Sequence, residues 1–267
     1  VVNKYLFSLA IPPIIVFAYK KGLPGNSEFF MFVIFFFHKL TIEQIFSVQA
    51  CLLRMIGEII MGNTDKFEMI ANTYDTPERI QIAKVSSDAI RNYLVDAKSK
   101  NAIDFGCGTG LIGMNLLNEF SSMLFLDTSQ NMINQIKQKI TDFNLQNVDT
   151  LCFDIEKESL VDVHTDYIFM TQVLLHIHDV ELVLSRLFDV LNEGGHLLIV
   201  DFNKNEKIVS DMVHNGFNPD ELTDIMTKIG YRDIQFKTFF TGSKIFMGHD
   251  ASMFILDSKR IHSKECL

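Results

Sequence analysis

From residue 61 onward the chain switches repeatedly between a helical and an extended hydrophobic period. Residues 77–97 carry Ile80, Ile82, Ala83, Val85, Ala89, Ile90 and Leu94 at roughly helical spacing. Thr76, Pro77 and Glu78 supply an N-cap, a first-turn proline and a charge that suits the helix dipole. Short apolar runs at 101–105, 123–126, 148–153, 166–171 and 196–202 predict five strands. Between them the pattern predicts helices over 111–119, from the Ser129 cap to about Asp142, and over 180–191. Glu193-Gly194-Gly195 predicts a turn before the fifth strand. Asn218-Pro219-Asp220 opens a helix to about Ile229, closed by Gly230, and 231–240 and 252–256 form a final pair of strands. Strands separated by helices mean a parallel α/β sheet.

Residues 1–60 fit that pattern poorly. They hold nine of the 24 phenylalanines and carry a net charge of +2, against −11 for the remainder. Two apolar runs, at 5–19 and 29–37, fall short of the roughly 20 residues that span a bilayer as a helix. Pro12-Pro13 breaks the first run. Only Lys4 precedes it as a basic flank, and no small-x-small cleavage site follows, which argues against a signal peptide. Three readings stand open. The segment is a membrane anchor or re-entrant hairpin, or an apolar extension packed on the domain, or a non-native stretch whose natural start is Met61. The third rests on Gly57-Glu58, encoded by GGN-GAR, a purine-rich run that resembles a bacterial ribosome-binding site with Ile59-Ile60 as spacer. The expected division is 1–60 as apolar extension and 61–267 as the functional domain, with membrane contact only through the former.

Hydrophobic residues make up 48% of the 267 and charged residues 21%, so a packed core is expected and a disordered chain excluded. The net charge of −9 argues against a nucleic-acid partner bound without regard to sequence. Four scattered cysteines, Cys51, Cys107, Cys152 and Cys266, include no CxxC pair, which points to a reducing, cytoplasmic setting without zinc ribbon or disulfide scaffold.

The main chemical signal is Asp104-Phe105-Gly106-Cys107-Gly108-Thr109-Gly110, a glycine loop between a strand and a helix. Glycines permit positive φ and close backbone approach, and the helix start adds oriented N–H groups. Asp127 ends the next strand, 19 residues after Gly108, where a carboxylate accepts both hydroxyls of a ribose. Asp154 ends the third strand, placed to take an adenine amine. Gly108-x-Gly110-x-x-Gly113 also matches a dinucleotide fingerprint, so a nicotinamide- or flavin-dependent oxidoreductase is a rival. Against it stands Asp104: an acid at the strand end suits a ligand with an amino group and no pyrophosphate.

These segments together resemble the Rossmann-like (class I) S-adenosylmethionine-dependent methyltransferases, in their small-molecule branch, from about Phe67 to Lys259. The resemblance rests on AIDFGCGTG, LFLDTSQNMI, LCFDIE, DYIFMTQVLLHIHD and LNEGGHLLIVDF, in that order and spacing. It implies a seven-stranded sheet in the order 3-2-1-4-5-7-6, only the last strand antiparallel, with helices on both faces. It implies S-adenosylmethionine as cofactor and a small-molecule O, N or C acceptor. Gly106 and Gly108 would admit the methionine part, Asp104 its amino group, and Asp127 the ribose hydroxyls. Thr128 and Met132 would lie near the adenine, with Asp154 and the Ile155 N–H on its edge. Gln172 would sit beside the sulfonium, while Tyr74 and Arg79 would cover the cofactor and pair with its carboxylate. A non-catalytic protein that binds the same cofactor is the second rival.

Methyl transfer needs a base only where the acceptor must lose a proton. The base candidates are His176, His178 and His214, with His176 expected as the catalytic residue. His176-x-His178 lacks a third nearby ligand, so no metal is expected. Cys107 is expected as a small filler, and Met170, Met226 and Met247 as core.

Overall fold

The computed structural model describes the backbone of residues 7–11, 14–21 and 28–35, and residues 63–261. The chain divides into two compact units, Val1–Ile60 and Met61–Leu267. In the first, β1 (Phe7–Ile11), β2 (Ile14–Lys21) and β3 (Glu28–Phe35) form an antiparallel sheet in sequence order. Gly57, Glu58 and Met61 lie outside the described residues. No helix among the described residues is long and apolar enough to cross a membrane.

The second unit runs α1 (Asn63–Ile70), α2 (Pro77–Arg91), β4 (Asn101–Phe105), α3 (Leu111–Leu116), β5 (Ser122–Asp127), α4 (Gln130–Asp142), β6 (Val148–Cys152), β7 (Thr165–Thr171), α5 (Val180–Val190), β8 (Leu191–Phe202), α6 (Pro219–Ile229), β9 (Tyr231–Phe246) and β10 (His249–Arg260). Its seven strands form one sheet in the order β6-β5-β4-β7-β8-β10-β9. Counted from β4 as the first, that is the 3-2-1-4-5-7-6 order. The pairs from β6 to β8 are parallel, and β10 is antiparallel to both β8 and β9.

Alternate residues of the central strands feed two cores. Ile103, Ile168, Met170, Leu197, Ile199, Phe254 and Leu256 face Val183, Leu184 and Leu187 of α5 and Leu222 and Met226 of α6. Ala102, Tyr167, Phe169, Leu198, Val200 and Ile255 face α2, α3 and α4 through Ala83, Ile90, Leu116, Ile133 and Ile136. Burial on both faces explains why these strands are nearly continuous apolar runs. Each of the Val, Leu, Ile, Phe and Met side chains contributes roughly 1.5–3 kcal/mol.

Four local readings are corrected. The helix expected over 77–97 ends at Arg91. There the Tyr167 hydroxyl accepts the Val95 N–H and donates to the Val95 carbonyl, both at 3.0 Å. Asp96 follows with φ 49°, so a tyrosine from β7 stops a helix that its own sequence would continue. The turn expected at 193–195 lies within β8 as a bulge, between the Thr165–Leu191 and Tyr167–His196 pairs. α1 was not anticipated; its eight residues, NTDKFEMI, offer little apolar face, and contacts with the rest of the unit hold it. Met247 is 59% exposed rather than core. It and Gly248, at φ 48° and 78°, form the two-residue loop between β9 and β10. Met170 and Met226 are buried, as is Cys107.

Candidate active site

The glycine loop leaves the carboxyl end of β4, which pairs with β5 on one side and β7 on the other. Gly106 and Cys107 both donate their N–H groups to the Leu126 carbonyl, at 2.8 and 3.0 Å, which folds the loop back over β5. Gly106 has φ 66°, and a Cβ there would stand 2.4 Å from Val173 Cγ2. Gly113 serves packing: its missing Cβ would overlap the Phe125 ring at 2.3 Å, so α3 settles directly on β5. The Gly113 N–H donates to Asp104 Oδ2 at 2.9 Å. Asp104 is 2% exposed. Burial pushes its pKa up to about 8, against the pull of that bond and with a further push from Asp127.

Asp127 ends β5 with both oxygens anchored. Oδ2 accepts the Gly108 N–H and Oδ1 the Ser129 N–H, each at 2.8 Å. The carboxylate thus welds the glycine loop to the start of α4, where Ser129 caps Met132 N–H at 3.1 Å. Burial raises the Asp127 pKa, and the bonds from Ser129, Gly108 and Thr128 N–H oppose the rise. One strand over, Asp154 Oδ1 accepts the Glu156 N–H at 3.0 Å and Oδ2 pairs with exposed Lys157 at 2.9 Å. Ile155 is buried, and its carbonyl accepts from Arg186 of α5.

The opposite wall follows β7. Gln172 has φ 54° and donates its N–H to the Val200 carbonyl at 2.7 Å. That left-handed turn throws the chain outward into a 3-10 turn, Leu174–His176. Asp201 of β8, fully buried, accepts the Leu175 N–H (3.1 Å) and the Phe202 N–H (2.8 Å); burial pushes its pKa up to about 7. His214 adds to the same brace from the far side, with its ring Nε2 donating to the Ile177 carbonyl at 2.7 Å. The His176 ring meets Phe67 of α1 edge-on at 5.1 Å. Burial, and secondarily the Lys66 ammonium, hold its pKa down to about 4, so it is neutral at pH 7.

The segment from α1 to Asp75 lies over this wall. Glu68 accepts the Gln130 and Asn131 N–H groups at 2.7 and 2.9 Å, capping α4 from 62 residues away. Asp75 accepts from the Thr109 hydroxyl and pairs with Lys139 at 3.1 Å. The Arg79 guanidinium lies 4.1 Å from the Tyr74 ring centroid and donates to the Tyr74 carbonyl at 2.9 Å.

These groups surround a cleft with two lobes. The larger holds about 860 Å³ of empty space, part of it open to solvent, and is lined by Tyr74, Gly106, Gly108, Asp127, Thr128, Met132, Asp154, Ile155, Gln172 and His176. The smaller, about 480 Å³, adds Asp104 and Arg79 and shares Tyr74, Gly106, Gly108, Thr171 and Gln172 with the first. All twelve residues singled out in the sequence therefore line one or the other of these two adjoining cavities. His178 and His214 do not: they line a separate depression with Lys204 and Phe217. No group of three metal-ligating side chains is found among the described residues. Sequence reasoning missed Thr64, Phe67, Glu68, Asp75, Glu156 and Asp201. Only the acid Asp201, at the end of an apolar strand, left a local signal.

A family model described as a methyltransferase domain matches residues 103–197. The chain is 21% identical over 211 residues to an uncharacterised methyltransferase of Schizosaccharomyces pombe, covering 64% of this chain and 73% of that protein. It is 31% identical over 141 residues to malonyl-[acyl-carrier protein] O-methyltransferase 2 of Ilyobacter polytropus, and spans only about half of that relative, 52%. Among solved structures it is similar to phosphoethanolamine N-methyltransferase 2 of Haemonchus contortus, in complex with phosphomonomethylethanolamine and S-adenosylhomocysteine. The TM-score is 0.57 at 15% identity, over 66% of this chain and 53% of that one, a likeness of fold.

Proposed function

We propose that this chain, which belongs to the class I S-adenosylmethionine-dependent methyltransferases, moves a methyl group from S-adenosylmethionine to a small-molecule O, N or C acceptor in the cleft beside the glycine loop. The activity is assigned to residues 61–267, with 1–60 as an apolar extension. The observation that carries the proposal is the Asp127 carboxylate, fixed by the Gly108 and Ser129 amides at the mouth of the cleft. Beside its amide bonds the carboxylate keeps lone pairs for a vicinal diol, which is what a ribose offers.

The remaining residues suit the same cofactor. Asp154 and the Ile155 N–H would read the adenine edge, with Thr128 and Met132 beside it. Asp104 would hold the amino group in the smaller lobe, and Arg79, stacked on Tyr74, the carboxylate. Thr171 Oγ1 at the junction of the lobes is buried without a hydrogen-bond partner among the described residues, which fits a polar ligand tail there. When bound, the sulfonium supplies a methyl carbon already activated by its positive sulfur. The chain's task is then alignment and exclusion of water. Gln172, held in the left-handed turn, would orient the acceptor side. His176, kept neutral by burial, is the candidate to take a proton that the acceptor must lose.

The named relatives act on chemically different acceptors, an acyl-carrier thioester acid and an amino alcohol phosphate. They support methyl transfer in general rather than one acceptor. The free thiols Cys107 and Cys152 support a reducing compartment, the cytoplasm. Calorimetry with S-adenosylhomocysteine and with NAD tests the cofactor. We expect the former to bind, and Asp127→Ala to weaken it at least tenfold, since charge-assisted hydrogen bonds are worth about 1.5–3 kcal/mol. Binding of NAD alone, or an Asp127→Ala variant with unchanged affinity, overturns the proposal. Labelled S-adenosylmethionine with fractionated metabolite extract then identifies the acceptor; a cofactor-binding protein that labels nothing is not the enzyme proposed.

A further inference from the structure

The turn that ends β6 and the segment that bears His176 are fastened together by one carboxylate. Glu156 stands two residues beyond Asp154 and lines the larger lobe. Its Oε1 accepts the backbone N–H groups of both His178 and Asp179, each at 3.1 Å. Asp179 is the N-cap of α5, so the bond fixes the chain where the His176 turn passes into that helix. Arg186, two turns along α5, donates to the Ile155 carbonyl. Ile155 packs in the same buried cluster as Ile177 and Val183. The turn at 154–156 and the stretch at 176–179 are thereby joined side to side. Asp201 on Leu175 and His214 on Ile177 hold the same stretch from β8 and the chain beyond it, and Phe67 of α1 meets the His176 ring. Glu156 acts from the side of the cleft assigned to the adenine.

We propose that Glu156 is a positioning residue that couples occupation of the adenine end of the cleft to the placement of His176. The proposal rests on the reading of Asp154 and Ile155 as adenine contacts. A base seated against them fixes the turn. Glu156 passes that restraint to the amides of His178 and Asp179, and His176 is held against the cleft wall. Such coupling is reciprocal, so ordering of the His176 stretch also favours the occupied turn. Because one oxygen serves both amides, the device depends on an acceptor at glutamate reach and not on charge. That separates it from a general electrostatic role.

Hydrogen exchange read by mass spectrometry tests it on the full chain and on Glu156→Gln, Glu156→Asp and Glu156→Ala. Each protein is measured free, with S-adenosylhomocysteine and with adenosine alone. In the unsubstituted protein and in Glu156→Gln, either ligand should slow exchange at residues 178–179 by roughly tenfold, within the usual range of site-to-site coupling. In Glu156→Asp, which keeps the charge but loses the reach, and in Glu156→Ala, that slowing should vanish. Exchange in the 106–110 loop should still respond to S-adenosylhomocysteine in all four. Undiminished slowing at 178–179 in the aspartate or alanine variant overturns the coupling, as does slowing by S-adenosylhomocysteine but not by adenosine. Those results leave the cofactor assignment standing. If S-adenosylhomocysteine fails to bind the unsubstituted chain by calorimetry, the assignment and the coupling fall together.

Discussion

Replacing Gly106 by alanine places a defined load on the glycine loop. The backbone there sits at φ 66°, where an L side chain costs roughly 1–2 kcal/mol. The new methyl would also stand 2.4 Å from Val173 Cγ2 and 2.7 Å from Cγ1. Real carbons do not approach so closely, so Val173 must shift. Forced repacking of this kind costs about 1–3 kcal/mol. The sum, about 2–5 kcal/mol, is a large part of a typical domain's stability of about 5–15 kcal/mol. The two contributions separate in a double-mutant cycle. Val173→Ala removes both clashing methyls and leaves Cβ at 3.1 Å from the added carbon, a contact the neighbours can absorb. The double variant should recover the steric part and keep the backbone part, a coupling of about 1–3 kcal/mol. Urea unfolding, with slopes compared to exclude a change in the unfolded state, measures it. Additivity of the two substitutions within about 0.5 kcal/mol would falsify the claim that Val173 closes on the glycine loop. Val173 heads the stretch that bears His176, so Gly106→Ala should also weaken S-adenosylhomocysteine binding and the double variant regain part of it.

Protons should report on the site as well. Asp104, protonated up to about pH 8 by burial, would ionise when an ammonium reaches it, so S-adenosylhomocysteine binding at pH 7 should release up to about one proton. Calorimetry in buffers of different ionisation enthalpy detects the release; a buffer-independent heat, or the same release in Asp104→Asn, counts against Asp104 as the amino-group contact. Asp201 has a folded pKa raised to about 7 from 3.8. Its contribution to stability is complete below the unfolded pKa and is lost as pH rises toward 7, so Asp201→Asn should flatten that decline by up to about 1.4 kcal/mol per pH unit. His176 runs the other way. Its folded pKa is lowered to about 4 from 6.5, so its contribution fades as pH falls through that interval, and His176→Gln should remove the acid-side loss. Urea midpoints from pH 4 to pH 8 show both, and parallel curves for all three proteins would contradict the burial of these groups.

The glycine loop and the strand-end acids were legible because a parallel sheet converts sequence into position. Asp127 closes β5, Asp104 stands one residue before the end of β4 and Asp154 two beyond the end of β6, and adjacent parallel strands bring their carboxyl ends to one edge. Residues that act by reaching across were not legible. Glu68 caps a helix 62 residues away, and Glu156 meets amides 22 and 23 residues on. Nothing in their neighbourhoods marks them. Tyr167 shows the same limit for the fold, since a hydroxyl from β7 ends α2 where helical spacing continues. The β9–β10 loop escaped notice because Met247-Gly248 takes positive φ at both positions without the usual Asn or Asp.

The position of β10 has a consequence for biosynthesis. Among the described strands it comes last in sequence yet lies inside the sheet, with Met253, Phe254, Ile255 and Leu256 all buried between β8 and β9. Every residue assigned to the cofactor or to proton transfer has left the ribosome long before it. A nascent chain paused short of residue 249 therefore holds every residue proposed for the site on a sheet with β8 unpaired along one side, open to misjoining with another strand. Maturation of the enzyme waits on its last hairpin, not on its site.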